Sequence, residues 1–342
     1  MTDFVGVAAM ARWIADQGPA AIMRGMVDYL DADFRRWPEF DKIERIASHT
    51  PWGVIELMPI SDPDLYAFKY VNGHPSNPLR GYQTVTAFGV LANVHNGYPV
   101  FMAEMTLLTA LRTAATSAFA ARALARPGSS VMALVGTGSQ AEFQALAFRE
   151  VLGISRLRIF DTDPDAMAKL VRNLTPLGFE IEVCGTAAEA ARGADIVTTC
   201  TADKANAIVL GDGDVQPGTH LNAIGGDCPG KTELDPAILD RAAVFVEYTP
   251  QTRIEGELQN KPGDFAVTEL WAVVSGAAPG RTSDEEITLF DSVGFAIEDF
   301  SALRYLRDSV AGTSACIDID LIAAPPDPKD LFGLVPQLSP VE

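Results

Sequence analysis

At 342 residues the chain is long enough for about two domains of ordinary size, and its 48% hydrophobic content can fill a substantial core. Forty-five acidic against 26 basic residues leave a formal charge of −19, which repels nucleic-acid phosphates and anionic membranes and argues against a polyanionic partner. No apolar run reaches the ~18 residues of a membrane span, and residues 1–10 lack the basic and apolar regions of a signal peptide, so a cytoplasmic protein is expected.

Residues 3–37 read as helical, with Trp13, Ile14, Ile22, Met26, Tyr29 and Leu30 near helical spacing and Pro19 marking a start. Strand-like runs follow at 53–58, 66–71, 84–94 and 98–104, the last two joined by the turn His95-Asn96-Gly97. They predict an antiparallel sheet. Residues 107–125 then form one long helix, stopped by Pro127-Gly128. Its Ala and Thr residues allow close packing, and Arg112 is the lone charge between 106 and 121. Burying that charge requires an anionic partner, for which Glu104 and Asp227 are the structural candidates.

From Val131 onward strands and helices alternate: VMALV, a helix over 140–152, LRIF, a helix over 164–177, EIEVC, ADIVTT, HLNAI, VFVEY and ITLF. Such alternation implies βαβ units and a Rossmann-like, doubly wound parallel sheet. A last helix is expected over 295–309, before an irregular tail with Pro325, Pro326 and Pro328. The first of these strands runs into Gly136-Thr137-Gly138-Ser139-Gln140-Ala141, a G-x-G-x-x-A fingerprint. Gly136 permits the tight turn, Gly138 admits a pyrophosphate, and a helix starting near Ser139 offers its free N–H groups. Asp161 ends the next strand at about the ~20-residue spacing of a ribose-binding acid, which favours NAD over NADP. A helix-capping Asp on an unliganded domain is the plainer alternative.

Residues 225–234, GGDCPGKTEL, match the phosphate-loop pattern G-x-x-x-x-G-K-[ST]. A phosphate loop needs its helix to begin at the Gly-Lys-Thr, whereas Asp235 and Pro236 look like an N-cap and first helical residue, about one turn too late. What remains is a carboxylate, Asp227, in a glycine-rich loop after a strand, where an open α/β sheet keeps its ligands. Cys184, Cys200, Cys228 and Cys316 lack metal or disulfide spacing and are expected as reduced, space-filling thiols. His49, His74, His95 and His220 stand near no telling acid or nucleophile and are read as structural. No metal site is expected.

Four segments together, Leu111–Ala115, Gly136–Gln140, Asn222–Asp227 and Phe290–Gly294, resemble the ornithine cyclodeaminase and mu-crystallin family. Residues 226–234 and 69–75 resemble its bacterial cyclodeaminases most. The resemblance runs from about residue 4 to Phe332. It implies a substrate-binding and dimerisation α+β domain over 1–118 with 313–342, an NAD-binding Rossmann domain over 119–312, and a homodimer. It further implies conversion of L-ornithine to L-proline and ammonia: NAD takes a hydride from the α-carbon, the δ-amine attacks the resulting imine, ammonia leaves and the hydride returns.

An aliphatic ammonium titrates near ~10.4, so the δ-amine needs a base before it can attack. By resemblance Asp227 is that base. A free Asp is too acidic for the task, so burial or a second acid, Glu56, is expected to raise its pKa. A loop carboxylate for Asp227 and a cross-strand ion pair for Glu56 are the structural alternatives. The resemblance places the substrate carboxylate on Arg45, Lys69 and Arg112, with Val293 touching the substrate, although an ordinary surface Arg fits residue 45 equally well from sequence alone. To the cofactor it assigns Thr84, Arg112, Ser139, Gln140, Asp161, Thr201, Leu221, Asn222, Ala223, Ile224, Lys231 and Ser292, besides Gly136 and Gly138. Lysine cyclodeaminase, ketimine reductase and alanine dehydrogenase activities share the fold. A binding protein with an idle cofactor and a phosphate-loop hydrolase are the more distant readings.

Overall fold

A computed structural model of the chain describes residues 2–202 and 208–335; Met1 and 336–342, the ends of the range expected for the substrate domain, lie outside the described residues, as do 203–207. The chain opens with a strand, β1 (Thr2–Val5), where helix was expected, because this segment adds in parallel to a later strand through Phe4 opposite Met102. Helices α1 (Val7–Gln17) and α2 (Pro19–Arg35) follow, separated by Gly18 at φ +75°. Pro19 opens α2 as expected, and Ile22, Met23, Met26, Val27, Leu30 and Phe34 form its buried stripe.

The first sheet then forms from β2 (Asp41–Lys42), β3 (Ile46–Thr50), β4 (Gly53–Ser61), β5 (Leu65–Gly73), β6 (Val85–Asn93) and β7 (Pro99–Glu104). Strands β2 to β7 are antiparallel, in the order β7-β6-β5-β4-β2 with β3 also on β4, and β1 extends the far edge. Period-2 alternation puts Glu56, Met58 and Ile60 of β4 and Ala67, Lys69 and Val71 of β5 on the buried face. Met58 stands opposite Lys69, and Glu56 opposite Val71. The alternation that fills the core therefore also carries an acid and a cation inward.

Helix α3 (Thr106–Leu124) joins the two halves, packing on α2 and α4 as well as against strands of both sheets. It is buried almost all round, as its small residues predicted.

The second half alternates as expected: β8 (Val131–Val135), α4 (Ala141–Leu152), β9 (Arg156–Phe160), α5 (Pro164–Leu174), β10 (Glu180–Val183), α6 (Ala187–Ala191), β11 (Ile196–Thr199), β12 (His220–Ala223), α7 (Pro236–Arg241), β13 (Ala242–Val246), α8 (Thr249–Glu255), β14 (Thr268–Glu269), α9 (Leu270–Val274) and β15 (Ile287–Asp291). All eight strands pair in parallel, in the order β10-β9-β8-β11-β12-β15-β13-β14. The order reverses between β8 and β11, which opens a ligand crevice at their C-terminal ends. Helix α10 (Ala296–Val310) returns to the first half and packs on β4, β5, β6, α2 and α3. A last strand, β16 (Ile317–Ile319), closes against β1.

Candidate active site

The fingerprint sits at the switch point. Gly136 adopts φ +97°, and a Cβ there would lie 2.7 Å from the carbonyl oxygen of Cys200, so only glycine lets β8 and β11 approach this closely. A Cβ on Gly138 would meet nothing within 4 Å, which leaves its backbone open to an incoming group. Helix α4 begins at Ala141 with Gln140 as its cap residue, two positions past the expected start near Ser139. Gln140 Nε2 donates instead to the carbonyl of Ala110 on α3, at 3.0 Å. Asp161 Oδ2 accepts from Thr137 N at 2.6 Å and from Thr137 Oγ1 at 3.1 Å, while its side chain stays partly exposed at the end of β9. Lys169 steadies the same turn by donating to the Gly138 carbonyl at 2.9 Å. A glycine turn with an open backbone face, a following helix and a partly exposed acid fit a dinucleotide.

Thr201, Ala223, Ile224 and Ser292 gather around this crevice at the ends of β11, β12 and β15: Ile224 N donates to Thr199 O at 3.1 Å and Ser292 N to Ala223 O at 2.9 Å. Leu221 and Asn222 lie deeper in β12, Asn222 within hydrogen-bond reach of His220 and Thr198. Thr84 stands apart, just before β6 of the other sheet, where its carbonyl accepts from His74 N.

The loop after β12 is no phosphate loop. Asp235 caps α7 by accepting from Ala237 N, and Pro236 is the first helical residue, as expected. The glycines serve a different purpose. Glu233 folds back so that Oε1 accepts from Thr201 N at 2.7 Å and Oε2 from Gly225 N at 3.0 Å. A Cβ on Gly225 would fall 2.3 Å from Glu233 Oε1, and one on Gly226 2.9 Å from Glu257 Oε1. Glu257 accepts from the backbone of Glu233 and Leu234, and Asp291 accepts from the backbone of Glu257 and Leu258. Three buried carboxyls thus brace successive loops, each through a pair of main-chain N–H groups. Burial, then the neighbouring charge of Asp291, pushes Glu257 up to about 9, and burial pushes Asp291 up to about 7.

Asp227 projects from this loop. Its side chain is 51% exposed, so it is only partly buried, on a loop whose Pro229 and Gly230 are exposed as well. Lys231 Nζ holds Asp227 Oδ1 at 3.1 Å and is itself mostly buried. Burial, the largest influence on Lys231, works to lower its pKa, but Asp227 and Glu233 raise it overall. Lys231 is therefore tied to Asp227, the base that the resemblance implies, and is not a solvated surface charge.

Arg45 is a buried hub, correcting the surface alternative. Its Nη1 lies 3.2 Å from Glu56 Oε2, its Nε 2.9 Å from Glu255 Oε2, and its Nη2 donates to the carbonyls of Val293 at 2.5 Å and Gly294 at 2.8 Å. Nη1 also reaches the backbone oxygen of Asp227 at 3.5 Å. Glu255, unforeseen from sequence, is pushed up to about 7 by burial and by the charges of Glu56 and Asp227, so it changes protonation near neutrality.

Next to this hub, Lys69 Nζ donates to Asp299 Oδ1 at 2.8 Å, and Arg112 Nε stands 3.0 Å from the same oxygen. Arg112 Nη1 also binds Glu298. The partners of Arg112 are thus the adjacent acids of α10, and neither Glu104 nor Asp227. Glu104 instead accepts from Leu107 N at the start of α3. Burial and the nearby Arg112 lower Lys69 to about 8. Gly294 links the two clusters: its carbonyl binds Arg45, and a Cβ on it would lie 2.9 Å from Arg112 Nη1. Glu247 supports this turn by accepting from Ser292 Oγ and Gly294 N, and burial with the neighbouring Glu298 pushes it up to about 8. The signal for Glu298 and Asp299 was in the sequence: they are adjacent charges in the apolar run FAIEDFSAL, just as Arg112 is in its helix.

A dinucleotide fingerprint at the switch point of a parallel sheet, together with a cluster of buried cations and carboxylates, marks a nicotinamide-dependent protein of amino-acid chemistry. The description "Ornithine cyclodeaminase/mu-crystallin family" matches residues 9–314, and the chain belongs to that family. It is 58% identical to an ornithine cyclodeaminase of Agrobacterium fabrum over 335 residues, 98% of this chain and 95% of the relative. Among solved structures it superposes on a lysine cyclodeaminase, described for recognition of L-lysine, L-ornithine and L-2,4-diaminobutyric acid, with TM-score 0.91 and 32% identity over 96% of this chain and 98% of that one. An archaeal alanine dehydrogenase dimer with bound NAD gives TM-score 0.84 and 30% identity, covering 93% of this chain and 99% of that one.

Proposed function

We propose that the protein is an NAD-dependent ornithine cyclodeaminase, forming L-proline and ammonia. The observation that carries this reading is that one cluster of buried side chains, joined through Gly294, has two charged ends. Lys69 and Arg112 offer donors for an α-carboxylate, while Glu56, Glu255 and Asp227 outnumber the cations Arg45 and Lys231 and suit a distal ammonium. A diamino acid has both charges. Arg45, Lys69 and Arg112 all pair with protein carboxylates, but Lys69 and Arg112 share a single oxygen of Asp299 whereas Arg45 also binds two backbone carbonyls, so the carboxylate falls first to Lys69 and Arg112.

NAD, when bound, supplies a hydride acceptor that later acts as donor. Gly136, Gly138 and the start of α4 would hold its pyrophosphate and Asp161 its ribose, with Ser139, Thr201, Ala223, Ile224 and Ser292 along the crevice. Asp227 takes the δ-ammonium proton, Lys231 fixes the carboxylate that receives it, and Glu56 and Glu255 hold the cation in reach. Val293, buried beside Arg45, limits chain length and excludes water. With the α-carbon at the imine level after hydride loss, the freed amine attacks it, the bond to the α-nitrogen breaks, ammonia leaves with the proton that Asp227 returns, and return of the hydride to the cyclic imine gives proline.

A homodimer fits the outer face of the first sheet, where Ile46, Leu57, Pro59, Tyr66 and Phe68 line an apolar hollow of about 260 Å³ and Ile46 is 60% exposed. Leu57→Asp should yield a monomer by light scattering. No helix of the described residues is long and apolar enough to cross a membrane, which is compatible with a cytoplasmic location. The deciding assay supplies L-ornithine with a catalytic amount of NAD⁺. Proline and ammonia in equal amounts without net NADH are expected; no proline, or stoichiometric NADH, overturns the reading.

A further inference from the structure

The two cations assigned to the α-carboxylate come from different elements, Lys69 from β5 and Arg112 from α3, and both are at least nine-tenths buried. Left to themselves they would repel each other in a medium that screens poorly. A single oxygen, Asp299 Oδ1, stands 2.8 Å from one and 3.0 Å from the other. Asp299 is 1% exposed, and its second oxygen, Oδ2, is buried without a hydrogen-bond partner, so its placement serves the two cations. We infer that Asp299 is the positioning residue of the carboxylate subsite, holding Lys69 and Arg112 side by side and keeping Lys69 charged.

This inference deepens the ornithine reading and rests on it. The charged groups that act most strongly on Lys69 are Arg112 on α3, Asp299 on α10 and Arg45 on the β2–β3 connection, with Glu298 one step away on Arg112 and Glu56 on the same face of the sheet. Of the three strongest, Asp299 is the anion. Its charge opposes burial and both arginines, so removing it must lower the pH at which Lys69 gives up its proton.

Asp299→Asn in the full-length enzyme loaded with NAD tests this. KM for L-ornithine should rise about tenfold to a hundredfold, the size of one lost charge-assisted contact, with a smaller change in kcat. The alkaline limb of kcat/KM should move to lower pH by about one unit, the usual effect of one adjacent charge. NAD affinity should stay the same. An unchanged KM and limb, or an equal loss of NAD affinity, overturns the inference. A second measurement uses no substrate: lysine labelled with ¹³C at Cε, the Lys69 resonance being assigned by its absence in Lys69→Met. Its titration midpoint should fall in Asp299→Asn, and an unmoved midpoint overturns the inference even if wild type never converts ornithine. Should Asp299→Asn not fold, Asp299→Glu keeps the charge. It should then fold and retain the wild-type limb with a raised KM, and a limb displaced as far as loss of the charge predicts would overturn the inference.

Discussion

The pocket and the crevice both bury carboxylates, but they satisfy them in opposite ways. In the pocket, Glu56, Glu298 and Asp299 face guanidinium or ammonium groups. At the ends of the parallel strands, Glu257 and Asp291 form no ion pair among the described residues and accept main-chain N–H groups instead. The same side chains therefore do two jobs. Acids beside cations organise charge for a ligand, whereas Glu257 and Asp291, beside backbone, lose their proton only at raised pH and act as braces for loops. Asp227 joins the two: it rides on the braced loop, but its half-exposed carboxylate pairs with Lys231.

That distinction can be broken in order of effect. Asp227→Asn should lower kcat by about 10²–10⁴-fold, the range for a lost general base, with NAD affinity intact by calorimetry; joint loss of both would place it among the braces. Glu298→Gln removes one partner of a buried cation and should cost up to about 3–5 kcal/mol in a denaturant titration. A cost near zero would erase the difference between the two groups. Gly225→Ala drives a methyl into the Glu233 carboxylate and should cost about 1–3 kcal/mol, read as a lower melting temperature.

The smallest effect should come from Glu257→Gln, which mimics the protonated acid. A carboxyl whose folded pKa exceeds its unfolded value stabilises fully below the unfolded value and loses that contribution as pH rises to the folded one. For Glu257 the window runs from 4.5 to about 9, and for Asp291 from 3.8 to about 7. The melting temperature of the NAD-free enzyme should thus decline from mildly acidic to alkaline pH. Glu257→Gln should make that decline shallower from about pH 4.5 upward and remove most of it above neutrality, where Asp291 no longer contributes. An equally steep decline in the variant would show that Glu257 is ionised throughout.

Regular periodicity made most of the architecture legible. The alternation beyond Val131 and the Asp235-Pro236 helix start both hold in the structure, because local patterning decides them. The short strands β1, β2, β3 and β16 were not legible: with two to five residues each, they exist only through pairing with distant segments. Within the site, the isolation of Arg112 foretold a buried charge but not its partner, which lies 186 residues away on α10. Arg45 shows the reverse. Nothing in its polar surroundings hinted at burial, because α8 and the turn at Val293 bring its carboxylate and carbonyl partners from elsewhere in the chain. Exposure of Asp227 was equally hidden, since loop trajectory depends on Glu233 and Glu257 occupying the volume above Gly225 and Gly226.

Helix α10 finishes a body that the polypeptide began nearly three hundred residues earlier. During synthesis Lys69 and Arg112 leave the ribosome long before Glu298 and Asp299 exist, so an N-terminal fragment carries two positive charges with nothing to neutralise them. Maturation of the pocket must therefore wait for the nucleotide half to be made. A chain cut short just before α10 would keep its glycine fingerprint but have no lasting place for an amino acid.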